Sequence, residues 1–122
     1  MSLHLKLALA LLLLTMLAFA GILFGAQQTA TIQLSIQVGH YAALDWTAAV
    51  PGTDPVVGYN VYRGPGSSGP WTKLTPSPIN QLDYNDSAIQ LGQTYFYYVT
   101  AVDSSGVESS PSNIVSGTVP QS

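Results

Sequence analysis

A chain of 122 residues with no cysteine holds one domain, and it must fold without a disulfide, a thiolate metal site, a cysteine nucleophile or a lipidated cysteine. Charged side chains make up 7% of it, and beyond residue 27 two basic side chains stand against six acidic ones, a formal charge of −4. So few cations cannot neutralise many phosphates, which excludes nucleic-acid binding by charge. The same stretch is rich in Tyr, Val, Ile and Leu, a composition that folds.

From Leu7 to Ala26 every residue is apolar or glycine except Thr15. Lys6 precedes the run and stays cytoplasmic, so the chain beyond Ala26 faces outward. Two readings fit. A cleavable signal peptide would centre on Leu7–Leu17 and be cut at Ala18-Phe19-Ala20. A retained anchor would use all of Leu7–Ala26, long enough at 1.5 Å per residue to cross about 30 Å of hydrocarbon. Cutting after Ala20 would leave Ile22, Leu23 and Phe24 in water, which favours the anchor. Either way residues 1–26 deliver a domain of residues 27–122 outside the cytoplasm.

After Gln28 the apolar residues fall on alternate positions. Ile32, Leu34, Ile36 and Val38 share one face of a strand over Thr31–Val38, and Ala42, Leu44 and Trp46 share a face of a second over Tyr41–Thr47. Ala48–Pro55 is dense in turn formers. Val56–Arg63 predicts a third strand, with Tyr59 and Val61 inward and Asn60 and Tyr62 outward. Gly64–Pro70 is a flexible connection, Trp71–Leu74 a short edge strand stopped by Pro76, and Gln81–Tyr84 a further short strand. Thr94–Val102 is the longest. Tyr95, Tyr97, Val99 and Ala101 lie on one face and Phe96, Tyr98, Thr100 and Val102 on the other. Asp103–Gly106 predicts a hairpin turn and Ser112–Val119 the last strand. About seven strands without an amphipathic helix predict an all-β, two-sheet antiparallel sandwich with Trp46, Tyr59, Val61, Tyr95, Tyr97 and Val99 in its core.

These residues resemble the fibronectin type III family over about residues 28–120. The likeness is carried by Trp46 in LDWTAA, by GYNVYR with Tyr59 and Val61, by the Leu91-Gly-Gln-Thr-Tyr95 corner leading into Tyr97, Val99 and Ala101, and by GVESSPSN at Gly106–Asn113. The resemblance implies that Tyr95 is a tyrosine-corner residue whose hydroxyl bonds nearby backbone. It also implies a non-enzymatic module. Gly92 stands where the family often has proline. The family's integrin-binding tripeptide is absent, since Arg63-Gly64 runs into Pro65. Immunoglobulin domains fit less well, for want of a cysteine pair and a third-strand tryptophan.

The residues offer no catalytic constellation and no phosphate cradle, so neither an enzyme nor a cofactor is expected. His40 lies in a Gly-His break beside no nucleophile motif and reads as a turn histidine. Asp83, Asp86 and Asp103 lack the spacing of an oxygen-rich cation loop and read as solvated turn aspartates, so no metal is expected. Asn85-Asp86-Ser87 matches the N-glycosylation pattern. The outward assignments gather Tyr62, Phe96 and Tyr98 on one sheet face, with Trp71 at its edge. Such rings can stack on a cell-surface glycan, anchor a protein partner, or pack on one another. The chain therefore reads as an extracytoplasmic adhesion or spacer module, exported or tethered by its apolar segment. The alternative is an assembly subunit that builds oligomers or filaments through its N-terminal helix or through an open sheet edge, Thr31–Val38, which has neither charge nor proline.

Overall fold

The computed structural model describes residues 32–121; the expected N-terminal helix over Leu7–Ala26 lies outside them. Seven strands form: β1 (Leu34–Val38), β2 (Ala42–Trp46), β3 (Val56–Gly64), β4 (Thr72–Lys73), β5 (Asp83–Asp86), β6 (Thr94–Asp103) and β7 (Val115–Thr118). They make a three-stranded antiparallel sheet, β1-β2-β5, and a four-stranded one, β4-β3-β6-β7. Among these residues no helix is long and apolar enough to cross a membrane.

Alternation in sequence becomes burial between the sheets. Leu44, Val61, Tyr97 and Val99 are each fully buried, joined by Ile32, Leu34, Ala42, Trp46, Tyr59 and Ala101. Removing side chains of this size from water stabilises the fold by about 1.5–3 kcal/mol each. Trp46 and Tyr59 meet across the sheets with ring centroids 5.7 Å apart, and the Tyr59 hydroxyl accepts the Ala49 N–H at 3.0 Å. Tyr95 is only half-buried against this core, near the start of β6, opposite Gly117 and under the Arg63 guanidinium. Its hydroxyl accepts the Gln90 N–H at 3.0 Å.

The expected strands Thr31–Val38 and Ser112–Val119 are shorter, Leu34–Val38 and Val115–Thr118, and three further expectations give way, at the fifth strand, Asp86 and Asp103. The fifth strand runs over Asp83–Asp86 rather than Gln81–Tyr84, because β2 draws Asp86 opposite Ala42. Asn60 faces outward as expected, and there it is covered by Thr75 and Glu108 and buried. Asp86 and Asp103 are not solvated but buried. Asp86 joins the two sheets, whereas Asp103 folds its own turn, with Oδ1 accepting the N–H groups of Ser105 and Val107 at 2.9 Å. Gly106 completes that turn at φ 83°, a conformation that favours glycine.

The register fixes two poles. Ile32, the connection 47–55, Leu82 and the turn after β6 lie at one, here the proximal pole. Gly39-His40, the connection 65–71, Gln93 and Val119 lie at the distal pole. β1 is the outer strand of its sheet, but its edge is not bare. The Asn113 amide makes both bonds that a neighbouring strand would make with Leu34, accepting its N–H at 2.8 Å and donating to its carbonyl at 3.0 Å. Farther along, Val38 packs on Gly117 of β7.

Candidate functional site

The outer face of the four-stranded sheet gathers the aromatic residues. Tyr62 and Tyr98 are direct cross-strand partners on β3 and β6, and Gly64 and Phe96 are the next pair along the same face. Trp71 precedes β4 and lies over Gly64 and Gly69. A Cβ on Gly64 would come within 3.1 Å of the indole, and one on Gly69 within 2.8 Å. Both positions therefore need the absence of a side chain for the indole to lie down.

Tyr98 stands at the centre of the group. Its ring stacks on Tyr62 with centroids 4.7 Å apart and planes 14° from parallel, and meets Trp71 edge-on at 4.7 Å and 76°. A separation of 4.7 Å between near-parallel rings on adjacent strands matches the strand spacing. The rings therefore stand side by side and cover each other's faces, presenting a ridge of edges outward. Phe96 shares the face by register, flanked by Gly64 and Ser116, but stands apart from the stack. All four aromatic residues are half-buried.

A carboxylate closes one end of the ridge. Glu108 Oε1 accepts three hydrogen bonds, from Tyr62 Oη at 2.6 Å, Asn60 Nδ2 at 2.8 Å and Thr100 Oγ1 at 2.8 Å. Burial opposes ionisation of Glu108, but these donors and the charge of Lys73 outweigh it and hold the carboxyl below its ordinary range. Burial, the bond to Glu108 and its charge push the Tyr62 phenol far up; burial and the same charge raise Tyr98. At neutral pH the ridge carries one anion at Glu108 and one cation at Lys73, with neutral phenols between them.

The inner side of the same strands holds a second polar group. Arg63 Nη1 and Tyr97 Oη both donate to Asp86 Oδ2, each at 2.8 Å, and Arg63 also reaches the Ala88 carbonyl at 3.0 Å. The guanidinium lies 5.2 Å from the centre of the Tyr95 ring. Burial would lower the Arg63 pKa, yet the hydrogen bond and charge of Asp86 raise it; burial and Asp86 also push the Tyr97 phenol far up. Arg63 stays charged and Tyr97 neutral, so the cluster joins sheets rather than moving protons.

The remaining candidates scatter. Asp83 and Asn85 are exposed on β5, and His40 is exposed at the distal pole. Among the described residues no three His, Cys, Asp or Glu side chains come together to hold a metal ion. Sequence reasoning missed Glu108, Asn113, Ser109 and Ser112. Ser109 and Ser112 are buried beside β6, where each donates its N–H to a strand carbonyl and accepts a strand N–H on its hydroxyl. The only signal was their spacing in GVESSPSN.

No family model matches the chain. A stretch of 72 residues, 59% of the chain, is 39% identical to an amylopullulanase of Thermoanaerobacter thermohydrosulfuricus, and the match spans 4% of that protein's length. Among solved structures, an Fn3-like protein from Clostridium thermocellum superposes with a TM-score of 0.59 at 28% identity, covering 75% of this chain and 96% of that one. The sixth fibronectin type III domain of human fibronectin type III domain containing protein 3 superposes with a TM-score of 0.59 at 19% identity, over 80% of this chain and 89% of that one. The sandwich, its strand order and these superpositions agree: residues 32–121 form a fibronectin type III-like domain.

Proposed function

We propose that this chain is a non-enzymatic extracytoplasmic module that holds a binding surface away from the membrane, tethered by Leu7–Ala26 with its N-terminus in the cytoplasm. The observation that carries this reading is the match to a slice amounting to 4% of an amylopullulanase. So small a share of a long amylopullulanase is the size of an accessory module, which supports a module without chemistry of its own. The topology supports it. Ile32, next in the chain after the link to Leu7–Ala26, lies at the proximal pole, and the aromatic ridge lies on the side of the sandwich.

The partner is a protein or a cell-surface glycan, met by the ridge of Tyr62, Trp71, Phe96 and Tyr98. Half-buried rings bordered by Lys73 and Glu108 offer apolar contact beside a hydrogen-bonding rim. Two measurements test the reading. Protease added to intact cells should remove the domain while leaving a protected N-terminal fragment; full protection would refute export. Tyr98→Ala, checked for folding, should weaken retention on an immobilised glycan or partner panel. Unchanged retention would remove the ridge as the binding surface.

A further inference from the structure

The proximal pole combines two features. It carries four exposed aliphatic side chains on loops and strand ends: Val50 at 57% exposure, Val57 at 49%, Leu82 at 44% and Val107 at 43%. Leu82 lines a depression of about 420 Å³ together with Ala48, Pro51 and Pro55. The proximal half also holds Asp45, Asp54, Asp83, Asp103 and Glu108, whereas the fixed cations of the described residues, Arg63 and Lys73, sit toward the distal half.

This is also the pole nearest the apolar run. Only residues 27–31 separate Ala26 from Ile32. Fully extended, that link spans at most about 20 Å. A chain anchored through Leu7–Ala26 therefore keeps the proximal pole within about 20 Å of the bilayer. Exposed aliphatic loop tips within reach of a bilayer gain by entering its headgroup region, to a depth of about 5–10 Å.

We infer that the proximal pole is a membrane-contact surface, with Val50, Leu82 and Val107 seated in the headgroup layer beside the anchor. The inference rests on the tethered reading above and adds an orientation to it. The charge selects the lipid. Carboxylates gathered at this pole, with the cations elsewhere, are repelled by anionic headgroups, so the surface it fits is zwitterionic. The domain then stands upright, and the aromatic ridge on the side of the sandwich remains free.

The absence of native thiols makes the test direct. Val50→Cys, Leu82→Cys, Val107→Cys and Leu91→Cys, each made in the full chain, are labelled with an environment-sensitive NBD fluorophore and reconstituted into phosphatidylcholine vesicles. Leu91 is the control, an exposed aliphatic side chain at the distal pole. The protein should float with the vesicles. The three proximal labels should emit to the blue of the Leu91 label and be quenched by headgroup nitroxides, and the response should shrink when phosphatidylglycerol replaces part of the phosphatidylcholine. A floating chain whose proximal labels match Leu91 overturns the contact and leaves the tether standing. A chain that does not float overturns both. Blue emission without nitroxide quenching means that another protein surface covers the pole and overturns the lipid assignment, and a larger response on phosphatidylglycerol overturns the charge argument.

Discussion

Tyr97 on β6 donates its phenolic hydrogen to Asp86 on β5 at 2.8 Å, a buried bond that crosses from one sheet to the other. Arg63 on β3 meets the same oxygen at the same distance. The carboxylate is therefore the point at which β3, β5 and β6 are fastened together. Its second oxygen accepts the Ala88 N–H at 3.1 Å, which turns the chain out of β5.

Asp86→Ala should lower unfolding stability by about 3 kcal/mol, since it leaves the buried phenol without its acceptor and the guanidinium without its ion-pair partner. Tyr97→Phe should cost about 1–2 kcal/mol, because Asp86 keeps its other donors. Urea unfolding of both variants and of the double variant measures this, and the double-mutant cycle should show coupling. Additive effects would mean that the cluster is not one unit.

Tyr95→Phe isolates the corner. The ring and its contact with Arg63 survive, and only the bond from Gln90 N–H is lost. A decrease of about 0.5–1.5 kcal/mol is expected. Gln90 should also exchange its amide hydrogen faster while its neighbours in β6 do not change.

Glu108 predicts a pH dependence. Its carboxyl is held below the ordinary value in the folded chain, so its ionised form binds the native state better than its protonated form does. The stability it contributes is present above the unfolded carboxyl pKa of about 4.3 and is lost as pH falls through the lower folded value. Glu108→Gln should flatten that part of the pH–stability curve and leave the neutral-pH fold intact. Tyrosine fluorescence from Tyr62 and Tyr98 should follow the same acid transition in the parent chain only.

Asn113→Ala should uncover the backbone of Leu34. Two bonds to the outer strand disappear, at a cost of about 1–2 kcal/mol. Hydrogen exchange at Leu34 should accelerate more than at Ser35, which keeps its place in the β1–β2 ladder. A sedimentation shift toward dimer in this variant would show that the amide also keeps foreign strands away from β1.

The architecture was legible because it rests on period-two burial. Leu44, Val61 and Val99 sit on alternating runs whose apolar face has nowhere to go except against another sheet, and β2, β3 and β6 lie within a residue of their expected limits. The polar groups were less readable. Asp86 is separated from Arg63 by 23 residues, and Glu108 from Tyr62 by 46, so no local spacing announces either pairing. An aspartate in a turn-rich stretch looks solvated until a strand from the other sheet supplies its donors. The aromatic face was visible as alternation on β6, but parity says which way rings point and not whether they lean on each other. Tyr62 and Tyr98 turn out to cover one another's faces because β3 and β6 place them in the same register row.

The two poles have a mechanical consequence. β1 begins at one and β7 finishes at the other, so tension between a membrane and something held beyond the distal pole would run along the strand axes. Force in that direction loads the β1–β2 and β6–β7 ladders in shear, where their hydrogen bonds must fail together instead of peeling one by one. The rate of forced unfolding would then be set by the shortest sheared ladder, the four residue pairs between β6 and β7, whose last row is reinforced by the 2.7 Å contact of Thr94 with Thr118.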